Sequence, residues 1–105
     1  MTRARKPRPR VPVVAALRKA RELVKRGWCQ GASKRGRAHC AWHAVAIGEH
    51  YQDATYYLGR AVGTDRTGSC IVDWNDAKDR TKAQVVAAFT KAIALAEELR
   101  SRARK

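Results

Sequence analysis

The sequence predicts an all-α fold: a compact bundle of about four helices, flanked by a basic flexible N-terminal arm and a basic C-terminal tail. Three observations lead there. Alanine fills 19 of the 47 hydrophobic positions, against 5 Leu, 3 Ile and 1 Phe, a composition suited to closely packed helices. Apolar residues recur at three- and four-residue spacing in several stretches. Thr81 is followed at the third position by Gln84, the reciprocal cap that opens a helix. With 105 residues there is room for one domain. The reading divides the chain into an arm over 1–12, a helical domain over 13–100 and a tail over 101–105.

Residues 2–12 hold all three prolines and five basic side chains, which predicts an extended, polyproline-like arm with nothing to bury. Pro12 suits a first helical turn. Beyond it Val13, Leu17, Ala20 and Val24, flanked by Val14 and Leu23, give the first apolar stripe. Gly27 is expected to stop that helix in a left-handed cap, with Trp28 folding back on the last turn. Residues 31–37 read as a polar, glycine-punctuated loop. Cys40, Ala44 and Ile47, with Ala41 and Gly48, form a second stripe. Ala54, Tyr57, Leu58, Ala61 and Val62 form a third, closed by Gly63; residues 49–52 between them read as either a break or a continuation. Residues 69–74 fit a short helix capped by Ser69 or a brief strand. Asn75 and Asp76 signal a turn. From Thr81, the residues Val85, Phe89, Ala92, Ala96 and Leu99, with Ile93, outline a last amphipathic helix of about five turns.

Charge is the most unusual property. The net charge is +14, and it lies at the ends: residues 1–37 carry 13 Lys/Arg and one acid, Glu22, and residues 100–105 add Arg100, Arg102, Arg104 and Lys105. The stretch 38–99 is close to neutral. A near-neutral folded middle with basic ends implies a polyanionic partner: nucleic acid, an anionic membrane surface or an acidic protein. Candidate nucleic-acid contacts are Arg3, Arg5, Lys6, Arg8 and Arg10 on the arm, Arg18, Arg21 and Lys25 on the first helix, and Lys34, Arg35 and Arg37 in the loop. Lys19 and Arg26 add an adjacent basic strip to that helix. Flexible arginines of this kind enter narrow grooves of negative potential, although an arginine pair around a glycine also fits an ordinary exposed loop.

Cys29, Cys40 and Cys70 are odd in number and lack disulfide-scaffold spacing, so free, mostly buried thiols in a reducing cytosol are expected. No apolar run approaches the ~20 residues of a bilayer span. His39 and His43 stand four apart, as on one helical face, a spacing that binds zinc when two further ligands such as Cys29, Cys40, Cys70 or His50 come close. No Cys-x-x-Cys pair accompanies them, and nothing in the spacing gives any cysteine a histidine base. Neither metal, cofactor nor catalytic residue is therefore expected, and the chain reads as a non-enzyme. Trp28, Gln30, Trp74, Asn75 and Asp76 form a further set. Two indoles beside short polar side chains suit the lining of a binding groove; they equally suit rings plugging an alanine-rich core while the polar groups bond backbone at helix ends.

Taken in order, Gly27-Trp28-Cys29-Gln30-Gly31, Cys40-Ala41-Trp42-His43-Ala44 and Trp74-Asn75-Asp76 ahead of Thr81 resemble the pattern of a family of small actinobacterial and actinobacteriophage proteins with no established activity. The likeness covers roughly residues 17–99. His43 stands where the family pattern has glycine, and the arm lies outside the likeness. The resemblance implies a bacterial cytoplasmic or phage setting and assigns no catalytic residue. The function expected is a basic accessory protein that binds nucleic acid through arm and first helix; the alternative is a protein-interaction module docking on an acidic host protein.

Overall fold

A computed structural model of the chain describes residues 10–64 and 68–103. Five helices and one short hairpin follow in order: α1 (Arg10–Arg26), β1 (Lys34–Arg35), β2 (Ala38–His39), α2 (Ala41–Ala46), α3 (Tyr51–Val62), α4 (Gly68–Asn75) and α5 (Lys82–Ala103). The mainly helical expectation holds, with one helix more than predicted. The extra unit comes from the break over 47–50, where His50 takes a left-handed conformation at φ 59° and separates α2 from α3. Residues 69–74 are helical, within α4.

Helix α1 starts earlier than expected. Residues 10–12, assigned to the arm, belong to its first turn, where Pro12 loses no hydrogen bond because the first N–H groups have no intrahelical partner. The arm residues 1–9 lie outside the described residues. At the other end α5 continues through 101–103, three residues of the expected tail.

The buried stripe of α1 is the one its spacing predicts: Val13, Val14, Leu17, Ala20 and Val24 are all buried. It packs along α5, which also receives α3 and buries Val85, Phe89, Ala92, Ile93 and Ala96. Small buried side chains, Ala20, Ala88, Ala92 and Ala96, suit a close approach of helices. Phe89, Leu17, Leu58 and Ile71 are the largest apolar side chains with no exposed area, each contributing about 1.5–3 kcal/mol of burial. The start of α5 is fixed as predicted: the Thr81 N–H donates to Gln84 Oε1 at 3.0 Å and the Gln84 N–H to Thr81 Oγ1 at 3.1 Å. Gly63 closes α3 at φ 77°.

Three local expectations are corrected. Gly27 is not left-handed; it is needed because a Cβ there would stand 3.1 Å from Ala38 Cα and 3.2 Å from the Arg37 carbonyl oxygen. The Trp28 backbone bridges to His39 of the hairpin, and its ring packs against the core. Ile47, assigned to the second stripe, is 56% exposed, because α2 ends at Ala46 and Val45 takes the buried place. The polar loop over 31–37 contains β1, which pairs antiparallel with β2 in the register Lys34 to His39 and Arg35 to Ala38. Gly36 turns it at φ 62°, a left-handed conformation that penalises a Cβ.

Candidate functional site

The segment after α1 and the end of α4 meet around one side chain. Asn75 has no exposed area, and its amide makes four hydrogen bonds. Oδ1 accepts from Trp28 Nε1 at 2.7 Å and from the Ala41 N–H at 2.9 Å. Nδ2 donates to the Cys29 carbonyl at 3.0 Å and to Asp76 Oδ1 at 2.9 Å. That is the whole capacity of a carboxamide. Gln30 Nε2 donates to the Asn75 and Ala77 carbonyls at 2.9 and 3.0 Å, and Asp76 Oδ1 also accepts the Gly31 N–H at 3.0 Å. Trp74 offers its carbonyl to Arg80 Nε at 2.9 Å, with the guanidinium carbon 4.1 Å from the ring centroid. The five residues singled out in the sequence are thus brought together, with these polar groups engaged by the chain itself. Arg80 completes the set; no periodicity pointed to it, because it acts across a loop.

This knot positions the hairpin. The His39 N–H donates to the Gly27 carbonyl at 3.0 Å, the Cys29 N–H to the His39 carbonyl at 3.2 Å, and the Cys40 N–H to the Ser33 carbonyl at 2.9 Å. Lys34, Arg35 and Arg37 are all exposed on it, with no ion-pair partner among the described residues. Exposed Lys25 and Arg26 end α1 beside it, and exposed Lys78 follows Ala77, whose carbonyl Gln30 holds. One end of the molecule therefore gathers six cations.

Along the rest of α1, Arg18, Lys19, Lys25 and Arg26 are exposed, and several of the cations have partners. Arg18 pairs with Glu97 at 3.0 Å, Arg21 donates to Thr90 Oγ1 at 3.0 Å, and Lys25 reaches Glu22 at 3.5 Å. Packing on α5 draws Arg18 and Arg21 onto that flank. Arg10 opens α1, while Arg3, Arg5, Lys6 and Arg8 lie outside the described residues.

His39 and His43 do meet, though not on one helix: His39 belongs to β2 and His43 to the first turn of α2. Their Nδ1 atoms are 3.0 Å apart and the rings stack at 14°, a contact that needs one nitrogen protonated and the other bare. Burial above all, then the charges of His43 and Lys34, hold the His39 pKa below its ordinary value. Cys40 caps α2, its sulfur accepting the His43 N–H at 3.3 Å. Burial pushes the Cys40 thiol up, the opposite direction from a nucleophilic thiolate. Cys29 is buried and donates to the Ala32 carbonyl; Cys70 is half-buried on α4. Among the described residues no group of three or more His, Cys, Asp and Glu side chains is placed to hold a metal ion.

A family model described as a family of unknown function (DUF6197) matches residues 8–95. The chain belongs to that family. The DUF6197 match spans the Asn75 knot, the hairpin and the capping box of α5, and it excludes Arg3, Arg5, Lys6 and the basic C-terminus. No curated protein and no solved structure matches the chain.

Elsewhere in this DUF6197 member a groove of about 540 Å³ runs between α1 and the end of α2, lined by Pro12, Ala15, Leu23, Ala44, Ile47 and His50 among others. His50 is placed there, apart from the imidazole pair. No helix among the described residues is long and apolar enough to cross a membrane.

Proposed function

We propose that this chain is a non-enzymatic accessory protein that binds nucleic acid, acting in the cytoplasm of a bacterial cell, in an actinobacterial or phage setting. The observation that carries this is the hairpin. Its Lys34, Arg35 and Arg37 are exposed without an ion-pair partner among the described residues, and the last turn of α1 adds Lys25 and Arg26 beside them. Such groups release counterions from phosphates and give affinity without base reading. The arm's Arg3, Arg5, Lys6 and Arg8 supply further charge from the sequence side.

The test is a fluorescence titration of labelled duplex DNA and single-stranded RNA across salt. With about six phosphates neutralised, affinity falls roughly a thousandfold between 50 and 200 mM salt and remains measurable at the upper value. Binding that vanishes by about 150 mM salt would reduce the charge to generic stickiness and sink the reading.

A second reading, docking on an acidic host protein, draws on the groove between α1 and α2 and on Ile47, 56% exposed at its rim. Ile47→Asp separates the two: nucleic-acid affinity stays, whereas docking through the groove is lost.

A further inference from the structure

We infer that the hairpin tip, Arg35, Gly36 and Arg37, is a binding site for the minor groove of A·T-rich duplex DNA. The inference rests on the nucleic-acid reading above and names the partner and the contacting atoms.

A helix that reads DNA lies in the major groove with its side chains reaching base edges. On α1, Arg18 and Arg21 are tied at the surface to α5: Arg18 is bonded to Glu97 and Arg21 to Thr90. The hairpin has no such engagement. Its strands are two residues each, about 7 Å at the rise of a strand, and its turn is left-handed glycine. Beyond its two chain neighbours nothing lies within 4 Å of where a Gly36 Cβ would be, so the apex is open to solvent. An arginine flanks it on either side.

A narrow apex with an arginine before and after it matches a minor groove ~6 Å wide better than a major groove ~12 Å wide; the Arg35 guanidinium, which stands near Gly31, swings out to enter it. A·T tracts narrow the groove further and concentrate its negative potential, which draws arginine in particular. A G·C pair instead places the guanine amino group on the groove floor, where it meets the apex. The wide, shallow minor groove of A-form RNA lacks both properties. Arg26 and Lys78, at the same end of the molecule, are left to contact flanking phosphates.

Single-stranded nucleic acid is the less suited partner, because strand binders stack bases on exposed aromatic rings. At this end Trp28 is half-buried with its N–H held by Asn75, and Trp74 is covered by Arg80. Tyr51 and Tyr56, the exposed aromatics, belong to α3.

The experiment titrates the full chain with A·T-rich and G·C-rich duplex DNA of one length, with duplex RNA, and with netropsin as a minor-groove competitor. The A·T-rich duplex is expected to bind about tenfold tighter than the G·C-rich one, the worth of one or two discriminated pairs, and netropsin to displace the protein. The double variant Arg35→Lys, Arg37→Lys keeps the charge and the exposed positions. It should retain the salt slope and lose the preference, since a lysine ammonium is a more strongly hydrated point charge than a guanidinium. Equal affinity for the two DNA duplexes, or indifference to netropsin, overturns the minor-groove site while leaving salt-dependent nucleic-acid binding in place. Absence of binding to every duplex and to single strands overturns both.

Discussion

Asn75 accepts the indole N–H of Trp28 at 2.7 Å across 47 positions of sequence, and the same oxygen accepts the N–H of Ala41, the first residue of α2. One buried carboxamide thus joins the segment after α1, the start of α2 and the end of α4.

Asn75→Ala removes all four bonds and leaves the Trp28 N–H, the Ala41 N–H and the Cys29 carbonyl without this partner. Each buried group so stranded costs about 1–3 kcal/mol, so a loss of at least ~3 kcal/mol is expected from total stability of ~5–15 kcal/mol. Urea denaturation followed by Trp fluorescence measures it. A loss under ~1 kcal/mol would mean the knot is not a stabilising centre.

The capping box offers a cleaner measurement, because Thr81 and Gln84 are both exposed and their replacement leaves no cavity. Thr81→Ala should cost ~1 kcal/mol. Each side chain bonds a backbone N–H of the other residue, which survives the other's replacement, so Gln84→Ala should cost a further ~0.5–1 kcal/mol on top of Thr81→Ala. No loss from either variant in urea denaturation would contradict the capping box.

Gly27→Ala and Gly36→Ala fail for different reasons. At Gly27 the new methyl meets backbone of Arg37 and Ala38, which must move, at a cost of ~1–3 kcal/mol. Faster hydrogen exchange at the His39 amide, bonded to the Gly27 carbonyl, reports that displacement. At Gly36 the methyl meets open space and only the left-handed backbone resists, at ~1–2 kcal/mol. The Asn75 knot should then stay protected.

His39 gives stability a dependence on pH. The folded pKa of His39 lies below its ordinary 6.5, so below that value the unfolded chain binds the proton more readily than the folded one. The contribution is fully present above pH ~6.5 and is lost as pH falls through the folded value. A Tm series should decline on acidification in that window, and an NMR titration of the His39 ring should have its midpoint below 6.5. A midpoint above it would contradict the burial and the neighbouring charges of His43 and Lys34.

What the sequence by itself determined were the features carried by local spacing. The stripe of α1, the buried face of α5, the Thr81 cap and the Gly63 stop each need only a few consecutive residues, and periodicity or capping chemistry reveals them. The basic ends were equally legible, since charge is a property of composition. Tertiary structure decided the rest, because it turns on partners far apart in the chain. Gly27 was taken for a left-handed cap when its real constraint is the backbone of Ala38 beside it. Arg18 and Arg21 read as surface cations, and only α5 supplies the partners, Glu97 and Thr90, that they meet at that surface. The hairpin read as a loop because its strands are two residues long, too short for alternation to show. Trp28, Gln30, Asn75 and Asp76 were recognised as a set, but which of them would bond which depended on α4 ending beside the segment that follows α1. A buried amide acquires its role only when the fold brings two donors and two acceptors to it.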